Sequence, residues 1–242
     1  ISILMKNTSI YWNLVDSSQV SEGLEWLSED EYQQFQGFRF EKRQKDWLLG
    51  RWTAKRLIQS IYSDEKDLIS TQISIKNETS GAPFALMNGQ RMNTSLSISH
   101  RGNLAVAALG FNPAYSIGID LEEIESKSKG FVEDYFTSQE AETILALPSE
   151  HQSLIASLFW SGREAILKAL RTGLRIDTRE IAFQCPSLST NDDWQPLEII
   201  IAPVSLDSIQ LFWRKLDKYL VTLAVISPIE NLHVSSDDFI QN

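Results

Sequence analysis

The sequence predicts an α+β fold built from two similar halves. Two observations carry this expectation. A helical segment followed by several strand-like segments occurs twice along the 242 residues. Hydrophobic residues make up 43% of the chain, enough to fill a core in each half. The length itself suits one large domain or two of about 100–150 residues.

Residues 9–15 (SIYWNLV) alternate and carry β-formers, which predicts a strand. Residues 20–38 are mixed and predict one or two short helices. Residues 42–62 predict a long helix, because Trp47, Gly50, Ala54, Leu57 and Ile61 recur at helical spacing and form a buried face. Strand-like pieces follow at 72–76, 83–87, 95–99, 104–109 and 116–121. The segments 77–83 and 88–93 hold the Gly, Pro and Asn expected of turns. Asn-Pro-Ala at 112–114 marks the boundary, which gives halves of 1–113 and 114–242.

The second half opens with a predicted helix over 138–147, with Ser138 as its N-cap and a carboxylate soon after. The strongest helix signal lies at 154–171. There Ile155, Leu158, Phe159, Gly162, Ile166 and Ala169 form one apolar stripe, and Gly173 is a C-cap candidate. Strand signals follow at 180–183, 197–201, 208–213 and 219–226. Residues 231–242 read as a loose polar tail.

The formal net charge of −10 argues against nucleic acid and against anionic membrane surfaces as partners. The single cysteine, Cys185, excludes a disulfide framework and a thiolate zinc site. No apolar run approaches the ~20 residues of a membrane helix, and the first ten residues lack a secretory pattern. A cytoplasmic protein is expected. The cations are unevenly placed: Arg39, Lys42, Arg43, Lys45, Arg51, Lys55 and Arg56 fall within one 18-residue stretch around the first long helix, opposed there only by Glu41 and Asp46.

Three segments carry candidate chemistry. LSISHR at 96–101 places His100 just past a strand end, beside Ser99. IGIDLE at 117–122 places Asp120 and Glu122 two apart, hence on one side of a strand, where they repel without a cation between them. FWSGREAILKAL at 159–170 places Glu164 opposite the apolar stripe, flanked by Trp160 and Lys168. Singly, each is ordinary: solvent-facing carboxylates, a surface i, i+4 pair of Glu164 with Lys168, a hydrogen-bonded histidine.

Taken in series, they resemble a known family. Ser99-His100, then Gly118-Ile119-Asp120-Leu121-Glu122, then Trp160-Ser161 with Arg163-Glu164-Ala165 and Lys168, look like the signature of the Sfp-type 4′-phosphopantetheinyl transferases. Leu49-Gly50-Arg51 on a basic helix and Gly81-Ala82-Pro83 fit its N-terminal elements. The resemblance spans about residues 10–226. It implies a pseudo-dimer of two α/β halves with the active site in the cleft between them. It also implies a monomer that moves the phosphopantetheine arm of coenzyme A onto a serine of an apo carrier protein and releases 3′,5′-ADP.

The implied metal ligands are Asp120, Glu122 and Glu164, holding Mg²⁺ with Mn²⁺ as the alternative. The metal would supply the cation that the paired carboxylates need. Glu164, or alternatively Glu122, is the implied base, with Lys168 acting on a phosphate or the leaving group. Ser99 and His100 match contacts to the 3′-phosphate, and Gly81 and Pro83 match a loop near the adenine. Arg43, Lys45 and Arg51 are expected phosphate or carrier contacts. Two positions depart from the pattern: Ala82 stands where many relatives carry Lys, and Arg163 where Lys is common. Ala82 is also the one hint of a different reading, a non-catalytic relative that binds coenzyme A or a carrier as a regulator. Another Mg²⁺-dependent phosphoryl transferase lacks support, since there is no phosphate-binding glycine loop.

Overall fold

The computed structural model describes residues 9–62, 68–112, 114–187, 193–227 and 239–241. They form two compact units. One comprises residues 1–113 with 237–242, the other 114–236.

In the first unit, β1 (Ile10–Asp16) is followed by α1 (Glu29–Gln36) and the long α2 (Glu41–Ile61). Next come β2 (Ile73–Asn77), β3 (Pro83–Met87), β4 (Gln90–Arg91), β5 (Ser95–Arg101) and β6 (Leu104–Gly110). Strands β2, β3 and β4 form a small antiparallel meander. β1, β6 and β5 pair antiparallel in a second sheet, which α2 covers. Ala54, Leu57, Ile58 and Ile61 of α2 pack on Tyr11, Leu96, Ala107 and Leu109, so the expected helix face is the one buried. Asn13 adds a polar tie, its Nδ2 donating to the Thr53 carbonyl at 3.1 Å.

The second unit begins at β7 (Ser116–Glu123), then α3 (Lys129–Tyr135), α4 (Ser138–Ala146) and α5 (Ser149–Leu170). Strands β8 (Ala182–Phe183), β9 (Gln195–Pro196), β10 (Ile199–Ile201), β11 (Ile209–Leu216) and β12 (Tyr219–Ile226) complete it. The main sheet runs β7-β12-β11-β9, and α5 lies across it. Ile155, Leu158, Phe159, Ile166 and Ala169 meet Leu220, Ala224, Leu211 and Trp213 in one core. Gly118 lets the helix approach: a Cβ there would stand 2.0 Å from the Ala165 carbonyl oxygen. No helix among the described residues is long and apolar enough to cross a membrane.

Four local expectations are corrected. His100 lies within β5, not beyond it, because Arg101 still pairs with Leu104. Thr137, not Ser138, caps α4: its hydroxyl accepts from Glu140 N, and Glu140 reciprocates onto the Thr137 N–H at 3.0 Å. Helix α5 ends on Arg171 in the left-handed conformation (φ 58°), two residues before Gly173. The tail is not loose throughout. Phe239–Gln241 form β13, which pairs parallel with Ile10–Trp12 of β1. The rest of the expected tail lies outside the described residues.

Candidate active site

Gly118, Asp120 and Glu122 alternate onto the α5-facing side of β7. Asp120, Glu122 and Glu164 each present a carboxylate oxygen within 4.8 Å of the others. Burial comes first in pushing the Glu164 carboxyl up to about 7, then the neighbouring Asp120 charge, with Lys168 opposing. The metal-free triad is thus about half protonated at neutral pH, which lowers the repulsion among its three carboxylates. That donor set, all oxygen and net anionic, fits Mg²⁺ or Mn²⁺.

Asp120 is firmly held. Ser161 Oγ donates to its Oδ2 at 2.7 Å, and Lys168 Nζ donates to its Oδ1 at 2.6 Å and to the Ile119 carbonyl at 3.2 Å. Ser161 is fixed in turn by Thr222 of β12, whose Oγ1 lies 2.8 Å from Ser161 Oγ and 2.9 Å from its carbonyl oxygen. Thr222 stands directly opposite Asp120 in the β-ladder. The lysine expected to pair with Glu164 along the helix is therefore seated on Asp120. The roles of Ser161 and Thr222 were missed in the sequence. For Thr222 the available signal was a single threonine inside the strand-like run YLVTLAVI.

Arg163, one residue before Glu164, points the other way into the core. Its guanidinium lies 4.7 Å from the Phe136 ring centroid and 5.1 Å from that of Phe183. It donates to the Thr178 carbonyl at 2.9 Å and the Phe159 carbonyl at 3.0 Å, and pairs with Glu140.

The first unit carries a cavity of about 530 Å³, a size suited to a small-molecule ligand. Arg43, Arg51, Gly81, Pro83 and His100 line it, together with Lys42, Trp47, Asn77 and Ile98. Arg51 lies 4.5 Å over the Trp47 ring, and its Nη2 donates to Asn77 Oδ1 at 2.7 Å. Asn77 Nδ2 donates to the Gly81 carbonyl at 2.6 Å, which fixes a turn where Gly81 takes φ +92°. Burial pushes Arg51 down to about 10, and its buried Nε has no hydrogen-bond partner among the described residues. A desolvated guanidinium with an unsatisfied donor favours an anionic ligand.

Two expected contacts do not line this cavity. Ser99 lies on the opposite face of β5 from His100, as adjacent strand residues must, and is buried there. Lys45 points to solvent and pairs with Glu41 at 2.7 Å. Lys42, on the same helix, lines the cavity instead and pairs with Asp46, another lining residue, at 3.2 Å.

Residues 116–224, which contain the carboxylates, Ser161, Lys168 and Thr222, match the model of the 4′-phosphopantetheinyl transferase superfamily. Among the relatives of this chain, the 4′-phosphopantetheinyl transferase HetI of Nostoc sp. is 27% identical over 189 residues, covering 76% of this chain and 77% of that protein. The 4′-phosphopantetheinyl transferase psf-1 of Bacillus pumilus is 29% identical over 137 residues, covering 57% of this chain and 54% of that protein. A crystal structure of Thermotoga maritima holo-[acyl-carrier-protein] synthase aligns over 46% of this chain and 62% of that chain, at 21% identity and a TM-score of 0.34. The matched segment spans α5 and most of the second unit's main sheet, the elements that bring the three carboxylates together.

Proposed function

We propose that the chain transfers the 4′-phosphopantetheine arm of coenzyme A to a serine of an apo acyl or peptidyl carrier protein, releasing 3′,5′-ADP. The observation that carries this reading is the convergence of Asp120, Glu122 and Glu164 beside Lys168, inside the segment that matches the superfamily.

The chemistry is attack of an alcohol on a phosphoryl centre, which depends on positioning and charge stabilisation. Asp120, Glu122 and Glu164 would hold Mg²⁺, which when bound neutralises charge on the diphosphate. Ser161 and Lys168 keep Asp120 in a fixed orientation for this task. Glu164 takes the proton of the carrier serine, as a carboxylate placed at the reacting groups can. Lys168 offsets charge on the leaving phosphate. Arg43, Arg51 and His100 hold the 3′-phosphate, and the turn at Gly81 and Pro83 supports the adenine. Ala82 removes one cation from that turn and weakens coenzyme A binding without touching the reacting groups.

The test is incubation with apo carrier protein, coenzyme A and Mg²⁺, followed by mass spectrometry of the carrier. The expected result is a phosphopantetheine adduct on one serine. No adduct on fatty-acid, polyketide or peptide-synthetase carriers would sink the reading.

A further inference from the structure

Glu122 has a cation of its own. Lys127, in the segment joining β7 to α3, places Nζ 3.8 Å from Glu122 Oε2 and 2.9 Å from Glu125 Oε1. Its side chain is only 10% exposed. The ammonium lies 5.7 Å from the centroid of the Phe131 ring, and Phe131 packs on Trp160. An aromatic ring thus lies on one side of this ammonium and two carboxylates on the others. An ammonium so enclosed needs a carboxylate partner, and here two compete for it. The contact to Glu125 is a hydrogen bond; the one to Glu122 is a looser ion pair. Lys168 differs, since it donates to Asp120 Oδ1 and the Ile119 carbonyl, neighbours on one strand.

We infer that Lys127 is a resident counter-ion that competes with the divalent metal for Glu122 and steps fully onto Glu125 when the metal enters. The inference rests on the metal reading above. With Lys168 on Asp120 and Lys127 beside Glu122, most of the triad's negative charge is already offset among the described residues. Ligand charge governs how tightly an oxygen site takes a hard cation. A triad so offset holds a bare divalent ion weakly and accepts one better when it arrives on an anionic diphosphate. Lys127 is a positioning residue. It makes metal loading follow substrate binding rather than precede it.

The experiment measures Mn²⁺ binding to the full chain without coenzyme A, by the electron paramagnetic resonance of free Mn²⁺. Wild type, Lys127→Met and Glu125→Gln are compared. Lys127→Met is expected to bind Mn²⁺ about tenfold tighter, and Glu125→Gln, which leaves Glu122 as the lysine's remaining partner, several-fold more weakly, the range in which neighbours of metal ligands act. Glu125 is half-exposed, so its variant keeps the test available if Lys127→Met does not fold. Equal affinities in all three proteins, or both variants shifting in the same direction, overturn the inference about Lys127. Absence of Mn²⁺ binding in all three, even with coenzyme A added, overturns the metal reading and this inference with it.

Discussion

Glu164 keeps its proton to about pH 7 in the metal-free protein, against 4.5 for an ordinary glutamate, because it is buried and faces Asp120. The sign of the consequence is fixed. The folded state holds a proton that the unfolded chain releases above about pH 4.5, so metal-free stability falls as pH rises from there through 7. The loss amounts to roughly 2–3 kcal/mol. Thermal melts in EDTA should therefore decline between pH 5 and 8, and Mg²⁺ at pH 8 should restore the loss. Glu164→Gln should flatten the decline; an unchanged slope would show that another group is responsible.

Arg163 is the contrasting residue. It is fully buried, and both aromatic faces and three oxygen partners use its planar fork. Arg163→Ala strands Glu140, whose other oxygen accepts from Phe183 N at 3.0 Å. We expect a cost of about 3–5 kcal/mol in urea denaturation. Lysine at this position should recover only part of it.

At the scale of elements, the site depends on how closely α5 approaches β7. A methyl group at position 118 would overlap the Ala165 carbonyl oxygen. Gly118→Ala must move the helix that carries Glu164 away from the strand that carries Asp120 and Glu122. The expected outcome is a stability loss of about 1–3 kcal/mol, together with weaker Mn²⁺ binding. Full metal affinity in that variant would show that the triad tolerates the displacement.

Much of this was legible in the sequence. Period-two alternation put Asp120 and Glu122 on one side of β7, and helical spacing set Glu164 against the apolar stripe. The partners were not legible. That Lys168 reaches Asp120 rather than Glu164 follows from strand and helix lying in contact, and one-dimensional spacing carries no such distance. The same holds for Ser99, since a strand that runs on through Arg101 puts it on the opposite face from His100.

For the whole molecule, the basic cluster on α2 is less open than its count implies. Lys55 is 1% exposed and bound to Glu31 at 2.5 Å, with the Trp26 and Ser70 carbonyls each 3.0 Å away. Lys42 and Lys45 are paired along the helix. Arg43 and Arg51 line the cavity, so its field should act mainly on a ligand phosphate. Coenzyme A affinity should fall as salt rises, and Arg43→Ala should flatten that dependence. Lys55→Met should leave the salt dependence as in wild type while lowering stability, because Glu31 loses its buried partner. Titration calorimetry at several ionic strengths decides between these outcomes.

The pairing of β13 with β1 has a mechanical consequence. The chain leaves the first unit at residue 113 and re-enters it at 237, so the second unit is spliced into a closed loop of the first. Because the strands are parallel, tension applied through Ile10 and Gln241 pulls them along their length in opposite directions. Their hydrogen bonds are then loaded together in shear rather than opened one at a time. Until that short clasp gives way, the elements holding Asp120, Glu122 and Glu164 bear none of the load.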